Sequence, residues 1–414
     1  MPLELIALLA IVLAIIIGFW TNINVGIVGL VFALVLGHYI GGLPVNTIIG
    51  YWPLRLFFTT VGVTLLFSIA KLNGTLDKLS RTLIYQSHGN RMLIPIIFYV
   101  LSLVLASIGP GNISTSALLL PIGLLIASQT GISMLMISSL IILGSIAGGL
   151  SPLAPNGIVA LELAKLHGVG EMGFSIYLTN VVTITLFSII IYLVLGGLKR
   201  NGEHYQIPKP GRFDKMQIYT LISILVLVLW VIISGVNVGF AAFVIAAFLL
   251  LIRAADQNQA ILNIPWSTLI LICGMAVLVS VVDALGGVNM LTTFLARLMN
   301  RTTAVPVMAV LSGVMSIFSS AVGVVMPTLI PTTVQLSETL GHVVSPALLT
   351  VTIAVGSHMT TMSPFSTMGA LALANTPEDL DKKKMFRDLF IVAFAAVLFT
   401  AIFGLLGGLG LFVD

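Results

Sequence analysis

The chain has 414 residues, 58% of them hydrophobic and only 8% charged, with a formal net charge of +4 and a mean hydropathy of +1.16. A soluble domain carries roughly 25% charged residues, so this chain cannot cover a water-facing surface of ordinary size. The small positive charge is no argument for nucleic acid, because the Lys and Arg fall in loops beside apolar runs.

Apolar runs of about 18 residues or more, the length a helix needs to cross hydrocarbon, recur along the chain. The first, 3–20, has no basic leader and no small-residue cleavage site, which predicts an uncleaved span. Spans follow over 24–42 and 53–71, then a polar segment at 72–90. An apolar pair, 92–108 and 114–129, is joined by G-P-G-N-I. The next span, 133–164, is interrupted at G-S-I-A-G-G-L-S-P (144–152), and 175–197 completes the half. After the linker 198–215 come 216–234, 237–252 and 264–283, a polar stretch at 284–302, and a second pair, 304–318 and 323–340. An interrupted span, 346–374, and a last one, 389–412, close the chain. The lone Cys273 lies in a span and reads as a buried, inert thiol.

The halves carry the same marks in the same order. N-V-G at 24–26 recurs at 237–239, Pro53, Gly62 and Gly74 recur as Pro265, Gly274 and Gly286, and L-G-G-L at 195–198 recurs at 406–409. The frame at 144–152 is answered by G-S-H-M-T-T-M-S-P at 356–364. The offset stays near 212 residues, the sign of an internal repeat of the kind transporters are built from.

Each apolar pair, read as a hairpin that enters and leaves by one side, leaves five crossings per half. Five is odd, so the second half is inverted. Lys and Arg gather on the cytoplasmic side. With both termini outside, fourteen of eighteen fall inside, including Lys71, Lys78, Arg81, Arg91, Arg253 and the Lys382–Arg387 group; only Arg55, Lys165, Arg297 and Arg301 fall outside. The predicted fold class is an all-α polytopic membrane protein with two inverted-topology repeats, 1–197 and 216–414. Each has five transmembrane helices, one re-entrant hairpin (92–129; 304–340) and one broken helix (133–164; 346–374), with 198–215 as a cytoplasmic linker.

Backbone in hydrocarbon must satisfy its own hydrogen bonds, so Gly-Gly and Ser-Pro in mid-span predict unwound segments that line a cavity. Half-helix N-termini there favour anions, and the carbonyls ending the other half favour cations. Paired breaks in inverted halves point to a transport site near the midplane. The candidate substrate-binding residues are Asn112, Ser114 and Thr115 at the first hairpin tip and Ser319 and Ser320 at the second. Ser151 and Asn156 follow the first break, and His358, Thr360, Thr361, Ser363 and Ser366 lie at the second. The plainer alternatives are helix capping for the tip residues and a buried bond-former for Asn156. For His358 the alternatives are proton or carboxylate work and a neutral packed imidazole. Glu162 and Lys165, at i and i+3, read as a local ion pair. No catalytic set is evident: no zinc-protease motif and no P-loop occur, and His358 beside several Ser lacks an orienting third partner.

At these residues the chain resembles the divalent anion/sodium symporters of the ion transporter superfamily, closest to the malonate/dicarboxylate carrier branch. S-I-G-P-G-N-I-S-T-S-A-L-L-L-P-I matches the hairpin frame around Asn112, and G-G-L-S-P-L-A-P-N-G-I matches the Gly-rich break followed by Pro155 and Asn156. The second tip, S-S-A-V-G-V-V-M-P, has no Asn, which departs from the family's pattern. The resemblance implies a small carboxylate substrate, a homodimer, an elevator-like movement of the site and residence in a bacterial inner or plasma membrane. Asn112, Gly148 and Gly149 are then the candidate sodium ligands; no other cofactor is expected. The function expected is secondary active transport of a small organic anion, a dicarboxylate such as malonate or a C4 acid, coupled to sodium or protons. The alternative is an inorganic-ion antiporter of the same superfamily, of cation/proton or arsenite type.

Overall fold

A computed structural model describes residues 2–21, 23–85, 90–198, 209–234, 236–376 and 381–413. Among these residues every regular element is a helix. The first half opens with α1 (Leu3–Thr21) and α2 (Val25–Leu34), the latter continued by a π-helical turn to Ile40. The short α3 (Val45–Gly50), α4 (Leu54–Leu72) and the amphipathic α5 (Thr75–Tyr85) follow. Next come α6 (Leu93–Ser107), α7 (Gly111–Thr130), α8 (Met134–Gly149), α9 (Pro155–Leu166) and α10 (Ser175–Val194).

The second half runs through α11 (Lys215–Ser234), α12 (Val238–Leu251), α13 (Gln257–Leu262), α14 (Trp266–Ala284), α15 (Gly287–Leu298) and α16 (Ala304–Phe318). After a π-helical turn at Ala321–Val325 come α17 (Met326–Leu329) and α18 (Thr333–Thr339). The chain ends with α19 (Pro346–Met359), α20 (Thr367–Ala374) and α21 (Lys382–Leu405). Among the described residues five helices are long and apolar enough to cross a membrane, α4, α7, α10, α14 and α21. The chain is a multi-pass membrane protein.

The caps follow from local sequence. Asn24 and Asn237 cap α2 and α12 by accepting backbone N–H bonds from Gly26 and Gly239. Their amide groups reach across the halves, Asn24 to the Ser267 carbonyl at 2.7 Å and Asn237 to Thr59 Oγ1 at 3.3 Å. The same crossed pairing holds the helices behind them. A Cβ on Gly26 would lie 2.2 Å from the Ile270 carbonyl of α14, and one on Gly62 of α4 would lie 2.4 Å from the Gly239 carbonyl of α12. So α2 packs on α14 and α12 packs on α4, through glycines that the sequence repeat had paired. Gly74 and Gly286, another matched pair, both take the left-handed conformation, at φ of 74° and 81°.

Two features differ from the sequence-based expectation. The return arm of the second pair, 323–340, is not one helix. Pro327 and Pro331 each remove a backbone donor, and the arm breaks into a π turn, α17, a single 3₁₀ turn and α18. Glu162 does not pair with Lys165. It meets Arg55 at 3.0 Å, tying α9 to the start of α4, while Lys165 reaches Glu171 at 3.3 Å. Cys273 is fully buried, as expected of an inert thiol.

The glycine seams make a direct prediction. Gly26→Ala forces α2 away from α14, an overpacking that costs about 1–3 kcal/mol. Its melting temperature in detergent will fall well below wild type. Gly50→Ala, where no heavy atom lies within 4 Å of the added methyl, will melt with the wild type.

Candidate substrate site

Both interrupted spans are broken where expected. In the first, α8 ends at Gly149 and α9 starts at Pro155, which needs no N–H at that position. The turn between them is held by the Ser151 N–H bonding the Gly148 carbonyl at 3.0 Å and the Ala154 N–H bonding the Ser151 carbonyl at 2.9 Å. Asn180 of α10 closes the end of α8: its amide donates to the carbonyls of Ile146 at 2.8 Å and Ala147 at 3.0 Å. Those are the carbonyls that a broken helix leaves without partners. In the second, α19 ends at Met359 and α20 starts at Thr367. The packing repeats: Cβ atoms on Gly157 and Gly369 would lie 1.9 Å and 2.1 Å from the carbonyls of Ser151 and Ser363.

The first hairpin tip reaches the first break. Gly109 and Gly111, at φ of 137° and 74°, let the chain reverse between α6 and α7 in three residues. Gly111 then sits against the ring of Pro155. Asn112 is buried, and its Oδ1 accepts from the Ile113 N–H at 3.0 Å and from Asn156 Nδ2 at 3.1 Å. Asn156 Nδ2 also lies 3.5 Å from His358 Nε2, so an amide from the first break meets the imidazole of the second. The bare Gly149 faces this group; a Cβ there would lie 3.0 Å from His358 Nε2 and 3.3 Å from Asn112 Cβ. His358 is fully buried, and its Nδ1 has no hydrogen-bond partner.

These side chains form part of the wall of a cavity of about 260 Å³. Asn112, Asn156, His358, Ser319, Ser320, Thr361 and Ser366 contribute to the lining, with the apolar Phe318, Val322, Phe365 and Met368. A smaller cavity of about 110 Å³ adjoins it, and Asn112, Ile113, Asn156 and Thr268 line both. Among the described residues no Asp, Glu, Lys or Arg lines the larger one. An anion there would be held by amides, hydroxyls and backbone N–H groups.

The remaining sequence-predicted residues divide by what their hydroxyls do. Ser320 caps the π turn by accepting from the Gly323 N–H at 2.9 Å, and Ser319 donates back to the Met315 carbonyl at 2.6 Å. Thr361 donates to the His358 carbonyl at 2.8 Å. Thr360 and Ser363 are not in the lining: they donate to the carbonyls of Gly313 at 3.0 Å and Ile317 at 2.9 Å, pinning the second break to α16. Ser151 is buried in its own turn, and Thr115 is buried outside either lining, its hydroxyl unpartnered. Ser114 faces the smaller cavity. Of the candidate sodium ligands, Asn112 and Gly149 lie together. Gly148 packs on the Leu103 carbonyl of α6, and its own carbonyl is bonded within the turn. Thr268 of α14 and the Ile15, Gly18 and Val25 contributions from α1 and α2 had no signal in the sequence, being ordinary residues in ordinary spans.

The structure thus places a cavity with several polar side chains in its lining among the interrupted helices of a multi-pass membrane protein. Residues 1–149 match the model of a family described as dicarboxylate carrier protein MatC N-terminus. That is a family of carriers rather than enzymes, and the matched segment includes the Asn112 tip and ends at Gly149. The fold is similar to a solved structure of the YdaH transporter of Alcanivorax borkumensis, described as having an unusual topology. The TM-score is 0.60 over 88% of this chain and 86% of that one, at 13% identity. At that identity the likeness is one of fold. No curated protein matches.

Ser363 separates structural from ligand-facing roles. Ser363→Ala removes a buried bond and leaves the Ile317 carbonyl unpaired, a loss of about 1–3 kcal/mol. Thermal unfolding of the variant will show the drop; unchanged stability would return Ser363 to the candidate ligand set.

Proposed function

We propose that the chain is a secondary active transporter of a small dicarboxylate, with the substrate held in the 260 Å³ cavity between the two breaks and the two hairpin tips. The observation that carries this reading is the Asn112–Asn156–His358 contact. It brings one hairpin tip and both interrupted spans to one point on a wall without fixed charge. The match of the first 149 residues to a dicarboxylate carrier family supports the substrate class.

In this reading each half is one inverted repeat with a re-entrant hairpin. The crossed pairing of α2 with α14 and α12 with α4 supports two equivalent halves. The first tip touches the middle of a broken span instead of lying at a surface, which supports re-entry. The α7 helix, at 20 residues, is long enough to cross; its partner α6, at 15, falls short of the roughly 30 Å hydrocarbon core. The excess of Lys and Arg on one side sets both termini outside, and a bacterial inner membrane and a homodimer complete the reading.

Coupling is to sodium or to protons. Asn112 Oδ1 and the Gly149 carbonyl, at the end of α8 beyond the carbonyls that Asn180 and the turn engage, are the oxygens that would hold sodium, a hard cation that prefers such ligands. His358, with its unpartnered Nδ1, is the group that would carry a proton. The antiporter alternative is weaker for a cation exchanger, because no carboxylate lines the cavity.

Uptake of labelled malonate and succinate into proteoliposomes tests the reading. Wild type will accumulate them under an imposed sodium or proton gradient, and Asn112→Ala will lose at least about tenfold in rate, since it removes two hydrogen bonds at the site. Uptake unchanged in the variant would remove Asn112 from the site.

A further inference from the structure

The larger cavity has no fixed positive charge, yet the proposed substrate is a dianion. Two neutral amides and a few hydroxyls can hold one carboxylate by hydrogen bonds. A second carboxylate is bound selectively where a cation faces it, because charge-assisted hydrogen bonds are the stronger ones. The smaller cavity supplies one. It shares Asn112, Ile113, Asn156 and Thr268 with the larger, and its lining includes Lys71, in the last turn of α4.

We propose that Lys71 is the subsite for the substrate's second carboxylate, and so determines the preference for dicarboxylates over monocarboxylates; this rests on the transport reading above. Three observations carry it. Among the described residues, Lys71 is the one with a fixed charge in the lining of either cavity that Asn112 lines. Among the described residues no carboxylate pairs with it, whereas Arg55, Arg81, Lys165 and Arg387 each have an acidic partner. The hydroxyls beside it on α4 are already engaged, Thr64 with the Thr60 carbonyl and Ser68 with the Ala260 carbonyl. The ammonium is therefore the free strong donor on that wall.

A lysine at a helix C-terminus is favoured by the helix dipole and by the cytoplasmic side whatever else it does. Neither preference places it in the same cavity as Asn112. A long flexible stem also suits an ammonium that must follow a carboxylate between two adjoining spaces.

The test compares Lys71→Gln, Lys71→Arg and wild type in proteoliposomes. Labelled malonate is the transported probe, and unlabelled malonate and its monoamide are the competitors. Lys71→Gln is expected to raise the apparent KM for malonate at least about tenfold. It should leave inhibition by the monoamide unchanged, and Lys71→Arg should restore the wild-type KM. An unchanged malonate KM, or an equal loss for malonate and monoamide, overturns the assignment while wild-type uptake keeps the transport reading intact. Absence of malonate and succinate uptake by the wild type overturns both. Thermal unfolding in detergent accompanies each variant; the exposed Lys71 side chain predicts wild-type stability.

Discussion

Unwound backbone inside a membrane has to find its hydrogen bonds within the protein, and that requirement organises this structure. Each break leaves carbonyls at the end of one half-helix, and at the first break a neighbouring helix answers two of them. Asn180 closes the end of α8, and Thr360 and Ser363 tie the second break to α16. The first hairpin tip is answered in the same way, with Asn112 taking the Ile113 N–H and the Asn156 amide at once. Polar side chains that look like ligand contacts in the sequence therefore have two tasks. Thr360 and Ser363 donate to carbonyls of α16 and lie outside the cavity lining, whereas Asn112, Asn156 and His358 lie on it.

The two halves share a frame but not a chemistry. Counted along the repeat, His358 stands where the first half has Ile146, and Met368 stands where it has Asn156. The first half brings amides to the shared cavity, and the second brings an imidazole, hydroxyls and apolar surface. A site built from two equal halves would present a polar patch twice. This one joins Asn112, Asn156 and His358 across the junction, in a lining that also includes the apolar Phe318, Val322 and Met368. Such a surface suits a small molecule with polar ends and a short carbon spine.

Much of this was legible in the sequence, for physical reasons. Hydropathy gave the spans, because hydrocarbon demands long apolar runs. Gly148-Gly149, Ser151-Pro152 and Ser363-Pro364 gave the breaks, because those residues cannot sustain a helix. The order of glycines gave the repeat; that several of them, Gly26, Gly62, Gly239 and Gly274, sit at crossed helix contacts is visible only in the structure. The six-residue α3 and α13 were not legible, being too short to show a period. Nor was the fragmentation of the second return arm, although Pro327 and Pro331 were visible causes. In the site, spacing could not tell which hydroxyls face inward. Thr360 and Ser363 lie beside Thr361 yet point into α16, and Asn180 is one polar residue in an oily helix whose partners lie over thirty positions earlier. Arg55 took Glu162 from its near neighbour Lys165 because α4 and α9 meet in space.

The central claim is that the first and second halves meet at Asn156 and His358. Replacing Cys273 by Ser leaves a chain without thiols, into which Asn156→Cys and His358→Cys are introduced together with a protease site in the 198–215 linker. After treatment of membranes with a short bifunctional thiol reagent and then protease, the two halves should stay covalently joined. Halves that separate, although each single thiol reacts with a small maleimide, would contradict it.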